Sequence, residues 1–174
     1  MSGIISDNVG RSTGLIKAAG GGGKIGQVVQ TVNTGTETLS STTPTTITDF
    51  TVAITPAATS SKVLIMITAS FGCDPSKTSG MQLFRDTTQI FMGDAAGSRA
   101  RSTFEHWIDS NRDLNQMSAC YLDSPSSTSE VEYSMKWFSQ SAVAIYLNKA
   151  INDNDGAEHD QRTASSITAI EVLA

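Results

Sequence analysis

Charge, cysteine and long apolar runs are all scarce in this sequence, and each shortage removes a class of protein. Charged side chains make up 17% of the 174 residues, against about 25% in typical soluble domains. Only 12 of them are Lys or Arg, and the formal net charge is −5. A phosphate-backbone binder needs clustered basic residues, so nucleic acid is not an expected partner. No apolar run approaches the roughly eighteen residues of a spanning helix, so membrane insertion is not expected either. Cys73 and Cys120 are the only cysteines. Two such distant thiols read as buried residues rather than a disulfide framework, which suits assembly in a reducing cytosol. The opening MSGIISDNVGRSTGLIKAAG lacks a basic region leading into a long apolar core, so it does not read as a secretory signal.

Ser, Thr and Gly fill the space that charge leaves, a bias that favours short strands and polar turns over helices. Residues 1–24 stand apart. Ile4, Ile5, Val9, Leu15 and Ile16 are scattered there without a helical or strand period, ahead of the flexible run Gly20-Gly21-Gly22-Gly23. A freely solvated arm has little use for five large aliphatics, so these residues read as an anchor that folds against another subunit.

From residue 25 the pattern changes to strands, and residues 25–174 read as one β-sandwich domain. Ile25–Val32 is a first strand, and Thr34–Thr46 is a polar crossing. Phe50, Val52 and Ile54 then alternate with polar neighbours before Thr55-Pro56 stops the strand. Val63-Leu64-Ile65-Met66-Ile67 is apolar on both faces and reads as a central strand covered on both sides. Met81–Arg85 and Gln89–Met92 form a hairpin, followed by the turn Gly93-Asp94-Ala95-Ala96-Gly97. Further strands are expected at Phe104–Ile108, around Met117-Ala119-Tyr121, at Val131-Tyr133-Met135-Trp137, at Val143-Ile145-Leu147 and at Ser166–Leu173. Nine or ten short strands (roughly) with regular turn signals predict an all-β antiparallel two-sheet sandwich, in jelly-roll form, with an extended N-terminal arm.

Motifs that carry chemistry fail on their context. Gly21-x-Gly23-x-x-Gly26 matches the dinucleotide fingerprint in letters only, because a strand rather than a helix follows it. In Asn152-Asp153-Asn154-Asp155-Gly156, Ile151 stands where a calcium loop needs its first Asp, and Arg162 where it needs a Glu. The wider set Asp153, Asp155, Glu158, His159 and Asp160 reads as a solvated loop, with divalent-ion binding the sharper alternative. His106 and His159 lack a partner at ligand spacing, and no Gly-x-Ser-x-Gly elbow is present. No catalytic residue, metal or cofactor is assigned. A Ser–His–Asp grouping stays open, because its members are neighbours in space rather than in sequence. Tyr133 and Trp137 share a face with Val131 and Met135, which reads as core or inter-subunit packing. Trp107 and Tyr146 are the better candidates for a surface ligand.

Several pieces in order resemble virion proteins of tailed bacteriophages of aquatic bacteria. They are Asp7-Asn8-Val9-Gly10-Arg11-Ser12 with Gly14-Leu15-Ile16-Lys17-Ala18, and Gln27-Val28-Val29-Gln30-Thr31. Next come Ile54-Thr55-Pro56 with Thr59-Ser60-Ser61-Lys62-Val63, and Gly93-Asp94-Ala95-Ala96-Gly97-Ser98-Arg99. Tyr121-Leu122-Asp123-Ser124-Pro125 and Ser166-Ile167-Thr168-Ala169-Ile170-Glu171 complete the set. The resemblance implies a non-enzymatic virion component, assembled in the host cytoplasm. Its pattern is similar to the trimeric jelly rolls of the complement and tumour-necrosis-factor type. It further implies a homotrimer whose residues 1–24 dock on tail or capsid proteins while the β-domain projects outward. A tail fibre or appendage that touches a host-surface glycan is the leading expectation. A capsid cement or decoration protein is the alternative, and a carbohydrate-active enzyme the remote one. Arg85, Asp94, Arg99, Tyr133 and Trp137 are the candidate trimer contacts.

Overall fold

A computed structural model describes residues 24–156 and 159–174. In chain order the strands are β1 (Lys24–Asn33), β2 (Glu37–Leu39), β3 (Thr45–Ile54), β4 (Lys62–Cys73), β5 (Lys77–Arg85) and β6 (Thr88–Ile90). They continue with β7 (Phe104–Ile108), β8 (Asn115–Asp123), β9 (Val131–Ser139), β10 (Ile145–Leu147) and β11 (Ser165–Leu173). One 3-10 turn covers Gln140–Ala142, and no α-helix occurs among the described residues.

The strands divide between two antiparallel sheets. In the first, β1, β11, β4 and β8 lie side by side, with β10 and β2 extending the row past the far end of β4. In the second, β3, β9 and β5 are followed by β6 and β7, which share the outer edge of β5. The main pairs are β1 with β11, β3 with β9, β4 with β8, and β5 with β7. First pairs with last, second with second-to-last, and so inward, as in one long hairpin folded over on itself. That nesting defines a jelly roll.

Alternation in the strands builds the core between the sheets. Val63, Ile65, Ile67, Ala69 and Phe71 from β4 face Tyr133, Met135 and Trp137 from β9 and Met81 and Leu83 from β5. Each fully buried aliphatic or aromatic side chain contributes about 1.5–3 kcal/mol relative to exposure. In β3, Ile47 and Phe50 are both buried although three residues apart, which breaks the period of two. A bulge between Thr46 and Thr51 absorbs the extra residue, with Asp49 in the left-handed region at φ 52°. Asn33 steadies it by donating to Thr48 O at 2.9 Å.

Three expectations need correction. The Thr34–Thr46 crossing contains a strand, β2, which pairs with β10. The β4 strand is central in its sheet as expected; the opposite sheet covers its Val63–Ile65–Ile67 face, and within the chain Met66 on the other face is 46% exposed. The hairpin strand starts at Lys77 rather than Met81, because Lys77–Met81 pairs with β7. Cys73 is buried, as a structural thiol should be, whereas Cys120 sits on the outer face of β8; both are free. The proposed anchor residues Ile4, Ile5, Val9, Leu15 and Ile16 lie outside the described residues.

Candidate functional surfaces

The outer faces of the two sheets differ in chemistry. On the first sheet, cross-strand register places Val28, Ile170, Leu64 and Leu122 in one row across β1, β11, β4 and β8. Met66 and Cys120 stand opposite each other in the next row. Neighbours in such a row lie about 4.8 Å apart, so the apolar surface is continuous. Within the protomer it is also uncovered: Val28 is 60% exposed and Leu122 46%. A second apolar feature rims the same sheet, where Phe91 stacks on Tyr121 of β8 at 4.9 Å between ring centroids. Phe91 and Met92 are both exposed.

The outer face of the second sheet mixes polar side chains with the aromatic rings of Phe84, Phe138 and Trp107, and the loop between β6 and β7 folds over part of it. Gln82 and Gln89 each donate to Arg101 O at 2.8 Å, Thr103 Oγ1 donates to Phe91 O at 2.9 Å, and Arg101 Nε donates to Gly93 O at 2.6 Å. Between this pinned loop and the sheet opens a cavity of about 480 Å³ lined by Thr78, Arg99, Ser102, Glu105, Phe138 and Gln140. Gly80 forms its floor: a Cβ there would fall 2.5 Å from the Phe138 ring and 2.8 Å from Ser102 Oγ, so those side chains would have to shift. Trp107 stands beside the cavity, paired in register with Thr78, and is 51% exposed. Its indole N–H donates to Asp109 Oδ1 at 2.6 Å, which fixes the ring plane. Tyr146, the other surface-ligand candidate, lies on the outer face of the first sheet, paired with Gly72 of β4. The two aromatics do not form one platform.

Three candidate trimer contacts turn inward. Tyr133 and Trp137 are 0% exposed, because β9 packs their face against the opposite sheet. Arg85 pairs within the chain: its Nη1 donates to both oxygens of Asp123, at 3.0 and 2.9 Å. Tyr133 donates to Asp123 Oδ2 at 2.8 Å, and burial followed by that carboxylate raises its pKa. Asp94 and Arg99 remain exposed on the β6–β7 loop, Arg99 reaching only Ala96 O at 3.4 Å among the described residues.

The acidic loop is engaged with its own cations. Asp153 accepts from Arg162 at 2.9 and 2.8 Å and from Lys149 at 3.3 Å, and Arg162 chiefly holds its pKa down at about 2. Asp160 Oδ2 accepts from Asn154 at 2.8 Å. Glu158 lies outside the described residues. Ser79 Oγ stands 2.8 Å from His106 Nδ1, the pairing of residue types that a nucleophile and base would need. Both groups are buried, His106 beside Phe71, and burial lowers the imidazole pKa to about 4. So weak a base suits a core contact better than proton abstraction at neutral pH.

No protein-family profile matches the chain, and no curated protein resembles it in sequence. Among solved structures it is similar to VP2 in the subviral particle of infectious bursal disease virus, at 10% identity and a TM-score of 0.34. The match covers 86% of this chain but only 41% of that one.

Proposed function

We propose that the chain is a non-enzymatic structural component of a tailed-phage virion. In this reading it is a homotrimeric tail fibre or appendage, docked on the particle through residues 1–24 and assembled in the host cytoplasm. The observation that carries it is the uncovered apolar row Val28–Ile170–Leu64–Leu122 on the first sheet. Monomeric proteins rarely leave a continuous apolar patch open beyond a few hundred Å². A ring of identical subunits needs two different patches that fit each other. This chain offers a flat apolar sheet face and, at the β8 rim, the exposed pair Phe91 and Met92. A three-fold ring would use both and leave the second sheet outward. The exposed carboxylate of Asp94 is then free to meet a neighbour, while Arg99, on the same loop, lines the cavity over the second sheet.

Antibody labelling of purified particles tests the assignment. Signal on the tail supports a fibre or appendage, signal over the head turns the reading to a capsid cement protein, and absence from both overturns the virion role. A chain lacking residues 1–20 should remain a soluble trimer and fail to join particles.

A further inference from the structure

The geometry points to a binding site for a neutral pyranose sugar in the cavity between the β6–β7 loop and the outer face of β5, β7 and β9. It deepens the virion reading, since it names what an outward-facing sheet would touch. A volume of about 480 Å³ falls within the range of small-ligand pockets, and its lining has the chemistry a sugar needs. Sugars present two kinds of surface, a rim of hydroxyls that both donate and accept, and an apolar face of C–H groups. Phe138 in the lining, and Trp107 outside it as the register partner of Thr78, supply aromatic surface for the second kind, Trp107 with its ring plane fixed by Asp109.

The polar groups suit the first kind. Thr78 Oγ1 donates to Gln140 Oε1 at 3.2 Å, which leaves the Gln140 amide N–H groups without a hydrogen-bond partner among the described residues. Glu105 forms no ion pair among the described residues, so its carboxylate is free to accept from two adjacent hydroxyls. Arg99 keeps most of its fork of donors, with Ala96 O as its one recorded acceptor. The lining holds one carboxylate, Glu105, and one guanidinium, Arg99, so its net charge is balanced. That balance favours a neutral polyol over a phosphate, sulfate or sialic acid, which would gain from Arg99 but meet Glu105. Preorganisation also favours binding. The loop is tied to the sheet through Gln82, Gln89 and Thr103, so ordering it costs a ligand little.

Saturation-transfer NMR with methyl hexopyranosides, and a glycan array, test this on the full chain. Neutral hexose glycans should bind. Trp107→Ala and Glu105→Ala should each weaken binding about tenfold with an unchanged melting temperature, and Tyr146→Ala on the other sheet should have no effect. No signal with any neutral glycan overturns the site. So does a preference for anionic glycans, or binding indifferent to both cavity variants. Sugar binding by a chain absent from particles would leave the site standing and remove the virion reading. A particle-borne chain that binds no sugar would do the reverse.

Discussion

Tyr133 donates its phenolic hydrogen to Asp123 Oδ2 at 2.8 Å, and that bond ties the second sheet to the last residue of β8 in the first. Arg85, at the end of β5, grips the same carboxylate. Asp123 is 4% exposed, so its charge depends on these two donors in place of water. Tyr133→Phe removes one bond to a charged acceptor, and chemical denaturation should show a loss of about 2 kcal/mol. Asp123→Ala, which strands both donors, should cost more than Tyr133→Phe. Equal effects would mean that Arg85 contributes nothing to the tie.

His106 makes stability depend on pH. Burial lowers its pKa from 6.5 to about 4, so the unfolded chain binds the proton more tightly than the folded one. The contribution is fully present above pH ~6.5 and is lost as pH falls toward ~4, where it reaches roughly 3 kcal/mol. Melting temperature should therefore fall between pH 7 and pH 5 (about), before the carboxylates titrate. In His106→Gln that slope should flatten. An unchanged slope would assign the acid sensitivity to another group.

Gly72 tests the packing where β4 meets β10. A Cβ there would lie 2.6 Å from Lys149 O and 3.1 Å from Ala150 Cα, both backbone atoms that cannot swing aside. Gly72→Ala should cost about 1–3 kcal/mol, with the larger loss for Val. Thermal unfolding within error of the parent would show that the 149–150 segment yields freely.

β11 is the strand whose loss the fold should tolerate least. It lies between β1 and β4, and Ala169, Ile170 and Val172 pair on both sides. Removing the last six residues should expose two sheet edges and yield insoluble protein. A soluble chain with a cooperative melt would contradict this topology.

The sequence was most legible where apolar and polar residues alternate without interruption. Val131, Tyr133, Met135 and Trp137 in β9 follow the period and take the core side of the two packings that face allowed, and Ile167 and Ala169 in β11 are buried on one face of the expected strand. It was least legible between Ser70 and Gly80, where glycines and serines interrupt any period of two. There Gly72 and Gly80 sit inside strands, because each makes room for a distant segment, Lys149–Ala150 and Phe138. Such space is set by tertiary contact and leaves no local pattern. The cavity divides in the same way. Trp107 could be picked out as an exposed aromatic on a short strand. Arg99, Glu105, Phe138 and Gln140 come from separate segments that only the jelly-roll topology brings together.

Sedimentation equilibrium of the full chain, beside the variants Met66→Glu and Leu122→Glu, tests the proposed covering of the apolar first sheet most directly. A trimer is expected for the parent chain and a folded monomer for each variant, since a charge on that face cannot be buried unpaired. A parent chain that sediments as a monomer, or a trimer that both variants leave intact, would contradict it.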